Sequence, residues 1–449
     1  MQDANDKPAQ GYETPDEDRP ASAEPSLPTL QYETQLRHDP YAALRTREYR
    51  LFAVSHVLAI VGGQIQSVAL AWQVYQQTKS PMSLGFLGGI QVIPLLLLAL
   101  PAGQLADVLS RRKLLLAAQL LLSLWGLTLA GLTLFLSDSP ALLPAMYGVL
   151  LLNAVTLTFA RPARAAYLPQ LVPKDIFTNA VTWNASIFEL SSMAGPAVGG
   201  LIVAYAGAPA AYLTNGILLA VCFTNTLALP ERPVERSDRD TAEGFAGLLA
   251  GVRFVWRTKL LLATLTLDLF AVLLGGAVYI LPIFAERLGV GSVGYGWMKA
   301  APAIGAFSMA FFLAHRPPMR RAGRALLLAV AGFGVATICF GLSRNFWLSL
   351  AMLVCIGALD NVSVVVRHSL VQLLTPDEMR GRVSAVNQIF IGSSNELGGL
   401  ESGVTAAWFG PVLSVVGGGI GTMLVVAAVA IGWPQVRSLG SLKDIKPQQ

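Results

Sequence analysis

Apolar residues in this chain come in long unbroken runs. They show neither the alternation of half-buried strands nor the one-sided stripe of surface helices. Twelve runs stand out, at 51–75, 82–106, 114–136, 141–160, 179–205, 210–229, 260–281, 296–314, 325–342, 346–366, 383–408 and 411–433. Each is close to the roughly 20 residues a helix needs to cross about 30 Å of hydrocarbon. The runs lack period-2 alternation, which argues against a membrane β-barrel. The pattern predicts an all-α polytopic membrane protein with twelve transmembrane helices, here called spans 1 to 12.

The polar intervals then divide the chain. A tail covers 1–44, a first six-helix bundle 45–229, a linker 230–259, a second six-helix bundle 260–435 and a closing tail 436–449. The first tail is acidic and proline-containing with no apolar core, a composition suited to disorder. It has no h-region and does not read as a signal peptide. The linker begins charged, at Glu231–Asp240, and continues into an amphipathic segment around Phe245–Trp256. That segment predicts a short helix on the membrane surface.

Two stretches 203 residues apart read as one piece of protein used twice. Without a gap, Arg164 falls on Arg367, Leu171 on Leu374, Pro173 on Pro376, Asn184 on Asn387, Gly195 on Gly398 and Gly200 on Gly403. Each copy is a basic loop with a proline break, followed by a long apolar run. A weaker echo sets Leu105–Asp107 against Leu313–His315. Duplicated halves in an apolar chain are a mark of transporters built from repeats.

Composition agrees. Only 13% of the 449 residues are charged, against about 25% in soluble domains. Of the 32 Lys and Arg, only Lys79, Arg287, Lys299 and Arg344 fall at the ends of the spans opposite the termini. That bias sets orientation and predicts cytoplasmic termini. The net charge of +5 therefore reads as topology, and nucleic acid is not an expected partner. The three cysteines, Cys222, Cys339 and Cys355, lie far apart inside spans, with neither metal-ligand spacing nor a disulfide framework. No cofactor or metal is expected. Four scattered histidines and three isolated cysteines supply no catalytic cluster, so an enzyme is not expected either.

The end of span 2 reads Gly103-Gln-Leu-Ala-Asp107-Val-Leu-Ser110-Arg111-Arg112-Lys113. This resembles the loop motif of the major facilitator superfamily: glycine, three residues, aspartate, a basic residue, any residue, glycine, two basic residues. Val108 and Ser110 depart from the pattern. In span 5, Gly195-Pro196-Ala197-Val198-Gly199-Gly200 resembles the Gly-Pro motif of that superfamily's exporting branch, with Ser191 where an upstream glycine is common. The repeated loops look most like its enterobactin-exporter-like efflux branch. The resemblance implies two pseudo-symmetric six-helix bundles around a central cavity, lined by spans 1, 4, 7 and 10, and export driven by protons. It also implies a cytoplasmic latch of Gly103, Asp107, Arg111 and Arg112, and a helix bend at Gly195, Pro196, Gly199 and Gly200.

Five of the 27 acidic residues fall within the runs: Glu189, Asp268, Asp360, Glu396 and Glu401. A carboxylate at mid-bilayer costs about 2.5–3.5 kcal/mol or more, so each should face a cavity, pair, or hold a proton. Asp268 on span 7 and Asp360 on span 10 are candidates for substrate or proton binding, with a structural partnership as the alternative. Glu189, Glu396 and Glu401 lie inside the duplicated segments, where gating or structure competes with proton handling. Span 1 carries a polar stripe of His56, Gln64, Gln66 and Gln73; His56 either titrates or packs. Asn153 on span 4 and Gln91 on span 2 are lesser candidates.

Three motif matches carry no function. Gly289–Gly294 fits GxGxxG without a preceding strand, and two glycosylation sequons lie in spans. No Walker loop is present, which argues against ATP. The sequence thus predicts a monomeric multi-pass protein of the inner (cytoplasmic) membrane that exports an amphipathic small molecule in exchange for protons. A siderophore, drug or metabolite would fit. An importer of the same fold and a non-transporting sensor are the rivals.

Overall fold

The computed structural model describes residues 39–232, 244–317 and 319–441. The acidic tail up to residue 38 and the charged linker segment 233–243 lie outside the described residues, as does the end of the closing tail.

Helices account for every span. Spans 1 to 4 are Arg47–Thr78, Pro81–Val108, Arg111–Phe135 and Leu142–Leu171. Spans 5 and 6 form one element, Phe177–Leu227, whose backbone leaves helical geometry at Gly207, with φ 81°. Only glycine adopts that conformation cheaply, and Pro209 follows, so the chain reverses there. Span 7 is built from pieces: Lys259–Leu274, a turn of 3-10 helix at Ala277–Ile280, then Leu281–Arg287. Spans 8 to 12 are Gly291–Ala314, Ala322–Leu342, Phe346–Leu374, Asp377–Phe409 and Pro411–Gly432. Ten helices are apolar and long enough to cross a membrane, Lys174–Leu227 counting as one of them. The more polar span 11 falls outside that set. Large apolar side chains such as Phe135, Leu97 and Ile431 are exposed at 85%, 69% and 79%. That is the surface lipid would cover.

Three boundaries differ from the sequence expectation in ways that matter. Span 4 does not stop at 160 but runs to Leu171, so Arg161 and Arg164 are helix residues, not loop residues. Span 8 begins at Gly291, which draws Lys299 into the helix and away from the span end. The closing tail is partly ordered: Pro434–Ser438 is helical, and the Ala322 and Gly323 amides donate to the Gly440 and Leu439 carbonyls. The linker helix forms as Gly244–Arg257. It packs on span 11, where a Cβ at Gly251 would stand 2.9 Å from the Arg382 carbonyl oxygen.

The sequence repeat is a repeat of contacts. Gly195 packs on span 1, where an added Cβ would lie 2.6 Å from Gln64 Cβ. Its counterpart Gly398 packs on span 7, 2.9 Å from the Val272 carbonyl oxygen by the same measure. Gly200 crosses span 8 at Gly296 and Gly403 crosses span 2 at Gly85, the added Cβ of Gly200 lying 3.0 Å from Gly296 Cα and that of Gly85 2.9 Å from Gly403 Cα. Lipid tails are as apolar as leucine, so helix association in a bilayer relies on such close van der Waals fits. The two six-helix halves meet through these crossings, spans 5 with 8 and 11 with 2.

Those crossings share one end of the bundle, opposite the end where span 1 begins. We call it the far end. There Lys79 of the first half ion-pairs with Glu286 of the second and lies 5.2 Å from the centre of the Tyr75 ring. Trp72 stacks on Tyr295, ring centres 5.9 Å apart. At the near end, a Cβ on Gly103 of span 2 or Gly381 of span 11 would meet no heavy atom within 4 Å.

Candidate functional site

Three polar groups occur within the spans. The first joins the two halves. Glu396 sits on span 11 where that helix presses on span 2, a Cβ at Gly88 lying 2.5 Å from the Glu396 carbonyl oxygen. Tyr279, in the broken part of span 7, donates its hydroxyl to Glu396 Oε2 at 2.6 Å. The positive charges of Arg161 on span 4 and Lys299 on span 8 act on the same carboxylate. Lys299 Nζ donates to Ser67 Oγ on span 1 at 2.6 Å, again across the halves. Arg161 is exposed.

The second group lies inside the second half. Asp268 forms a buried ion pair with Arg367 of span 10. Asp360, two turns before Arg367 on the same helix, lines a small cleft together with Asp268, Phe333 and Ser363. The sequence left Asp268 open between function and structural partnership. The structure brings it to a basic partner and puts Asp360 beside it.

The third group lies in the first half and mirrors the second. Arg164, the counterpart of Arg367, has Nη1 3.3 Å from His56 Nδ1 on span 1. His56 also stacks on Phe52. Two further residues of the stripe on span 1 are engaged by span 6: Asn215 donates to Gln66 Oε1 at 2.5 Å and Tyr212 to Gln73 Oε1 at 2.8 Å. Asn153 is buried.

The remaining candidates are dispersed. Glu189 on span 5 is half-buried. Glu401 is half-buried near the far end, its Oε2 accepting from Ser402 Oγ at 3.4 Å. Gln91 donates to its own helix at the Leu87 carbonyl. Backbone geometry stays helical through Pro196. The glycines of the Gly-Pro segment form a crossing surface, with Gly195 and Gly199 against span 1 and Gly200 against span 8.

In this structure Arg112, just after the loop that follows span 2, contacts the end of span 6 in its own half. It donates to the carbonyl oxygens of Thr226 (3.2 Å) and Leu227 (2.7 Å), capping that C-terminus. Lys113 Nζ lies 2.8 Å from Glu231 Oε1. That hydrogen bond holds the Glu231 carboxyl below its ordinary range. Ser110 accounts for its departure from the motif: its hydroxyl accepts from the Lys113 amide and caps span 3. Arg111 Nε is buried without a hydrogen-bond partner among the described residues. Asp107 is exposed.

Sequence reasoning missed Arg161, Lys299 and Tyr279. Arg161 lies just beyond the run that ends at 160, and Lys299 lies near the start of the run 296–314, where the charge bias reads it as a span end. Tyr279 was hidden in an aromatic-tolerant apolar stretch. The signal available was the duplication, which continues span 4 past Arg161 into the repeated segment.

A family model described as transmembrane secretion effector matches residues 38–446. The chain belongs to that family. It is a transporter of the major facilitator superfamily, and the transmembrane secretion effector assignment spans both halves and all three polar groups. Among curated relatives, the enterobactin exporter EntS of Shigella boydii serotype 18 is 25% identical over 382 residues, covering 84% of this chain and 89% of the relative. EntS of Escherichia coli O1:K1 matches to the same extent. Among solved structures, a mutant form of nucleoside transporter NupG superposes with TM-score 0.67 at 15% identity, covering 86% of this chain and all of that one. A bacterial homologue of the lysosomal transporter Spinster, inward-facing and unoccupied, gives 0.65 at 14% identity, covering 90% and 99%. A D-xylose–proton symporter gives 0.66 at 14%, covering 89% and 99%. These structures share the fold with the transmembrane secretion effector family.

Proposed function

We propose that this transporter exports an amphipathic small molecule in exchange for protons, by alternating access between its two halves. The observation that carries the reading is the group around Glu396, which draws charged residues from spans 4, 8 and 11 onto the seam between the halves. A site built from both halves changes directly when they rock. The similarity to enterobactin exporters favours the outward direction and a substrate with both apolar and polar parts.

The bias of basic residues puts the near end in the cytoplasm of a cell with an inner membrane. On that orientation, the far-end crossings and the Lys79–Glu286 pair close the outer side. Closure of the inner side would bring Gly103 and Asp107 of span 2 toward span 11, completing a latch in which Arg111 and Arg112 hold the loop. Asp268, Asp360 and Arg367 form the proton site: a proton taken by one carboxylate frees Arg367 toward the other. One charge moving through 100 mV supplies about 2.3 kcal/mol, enough to drive several-fold accumulation. The working unit is a monomer, since both halves of the site come from one chain.

The test is flux of candidate amphipathic substrates in everted and right-side-out vesicles, with an imposed pH gradient. Uptake into everted vesicles that collapses in Asp360→Asn, while the protein remains folded, supports the reading. Uptake only into right-side-out vesicles would instead establish import, and absence of flux with retained ligand binding would establish a sensor.

A further inference from the structure

We infer that the far end of the second half carries a binding site for a phosphate group, built by Arg287 and Arg344 and suited to the headgroup of an anionic phospholipid. The site lies apart from the three polar groups within the spans and does not depend on the transport reading.

Four basic residues run against the charge bias: Lys79, Arg287, Lys299 and Arg344. Two are accounted for, since Lys79 pairs with Glu286 and Lys299 donates to Ser67. The other two, distant in sequence, line one cavity of about 270 Å³ together with Leu288. No carboxylate lines it. Neither arginine side chain has an ion pair or hydrogen bond with a described residue. Glu286, adjacent to Arg287 in sequence, is engaged by Lys79.

The frame of the cavity is fixed before any ligand arrives. Phe284, about one turn before Arg287, packs on Phe340, about one turn before Arg344, with ring centres 4.8 Å apart. The turn after Arg287 is closed by the Leu288 amide on the Phe284 carbonyl (2.9 Å) and the Val290 amide on the Ala285 carbonyl (3.0 Å). Around Arg344, Ser343 Oγ donates to the Asn345 carbonyl at 3.0 Å, and Asn345 Oδ1 caps span 10 by accepting from the Trp347 and Leu348 amides. Two guanidinium groups held around one space repel unless an anion lies between them. Each offers a planar fork of donors, and a phosphate has enough oxygens to accept from both. The surroundings favour a lipid. Trp347 is 72% exposed, with Leu342 and Leu348 exposed beside it. Tryptophan collects at headgroup level, so lipid tails would run along these side chains while the phosphate enters the cavity.

The full chain in phosphatidylcholine nanodiscs tests this. Cys339, exposed on span 9 shortly before Arg344, carries a coumarin in a Cys355→Ser background, Cys222 being buried. Nitroxide-tailed phosphatidylglycerol should quench it at least about fivefold more than the same fraction of nitroxide-tailed phosphatidylcholine, whose choline cancels the phosphate charge. A basic residue beside an anionic leaflet gives roughly a fivefold preference. Arg287→Gln and Arg344→Gln should therefore each lower the ratio several-fold, and the double substitution should remove it. Arg253→Gln, on the linker helix, should leave it unchanged. Thermal unfolding without quencher confirms that each variant is folded. A second arm adds glycerol 3-phosphate to protein in detergent, where a soluble occupant would stabilise the parent but not the double variant. Arginine-dependent quenching assigns the lipid headgroup. Arginine-dependent stabilisation without it keeps the phosphate site and assigns a soluble occupant. Neither effect, or a lipid preference that survives the double substitution, overturns the inference.

Discussion

Arg367 on span 10 is ion-paired with Asp268 on span 7, as its counterpart Arg164 on span 4 meets His56 on span 1. One duplicated arginine therefore ties the fourth helix of each half to the first, with a different titratable partner in each copy. Removing one member of a buried ion pair strands the other charge and costs about 3–5 kcal/mol. Arg367→Gln and Asp268→Asn should each lower thermal stability by that order, and the double substitution should cost less than either alone. His56→Gln breaks only a hydrogen-bonded contact and should cost about 1 kcal/mol. Unfolding in detergent measures all four.

The glycine crossings predict conformational bias. A Cβ at Gly296 would lie 2.6 Å from the Pro196 carbonyl oxygen, with only backbone to give way. Overpacking of this kind costs about 1–3 kcal/mol, and opening the far end relieves it. Gly296→Val and Gly403→Val should raise far-end access to a cysteine at Gly63, a position with open space around it. The rate of labelling by an impermeant maleimide, in a background lacking Cys222, Cys339 and Cys355, should rise about tenfold. Gly417→Ala, with nothing within 4 Å of its Cβ, should leave the rate unchanged.

The spans and the pairing of halves were legible because bilayer thickness and helix rise leave few alternatives for runs of this length. The contact repeat was legible too, since Gly195, Gly200 and Arg164 each find their second-half counterparts in the alignment. The seam site was not. It depends on which helices cross, and Arg161, Lys299 and Tyr279 are distant in sequence from Glu396. Hydropathy also ends a span at its first arginine, while the helix continues through Arg161 and Arg164, the latter meeting His56 of span 1, to Leu171. Ser110 and Arg112 show a further limit. A motif names residue types, but their partners here are the starts and ends of neighbouring helices.

Outside the membrane, Glu231 offers a pH test. Its carboxyl is held below the ordinary range by Lys113. A lowered folded value contributes stability above the unfolded pKa of about 4.3 and loses it as pH falls through the folded value. The difference in melting temperature between the parent and Glu231→Gln should be constant from about pH 6 to about pH 8 and should vanish in acid. A difference that persists in acid would mean the pairing with Lys113 is not its source.

The Lys79–Glu286 pair separates gating from stability. Both side chains are largely exposed, at 49% and 40%, and exposed pairs contribute only about 0–1 kcal/mol to folding. Yet the pair joins the loop between spans 1 and 2 to the end of span 7, so it exists only while the far end is closed. Glu286→Lys sets two like charges against each other in that state alone. It should leave the melting temperature nearly unchanged while raising far-end labelling of the cysteine at Gly63 several-fold. The swap Lys79→Glu with Glu286→Lys restores attraction with reversed sign and should return labelling to the parent rate. High salt screens surface charges within about 3 Å at 1 M, so the labelling difference between parent and Glu286→Lys should shrink there. The glycine variants act through sterics and should be indifferent to salt, which tells the two contributions to far-end closure apart.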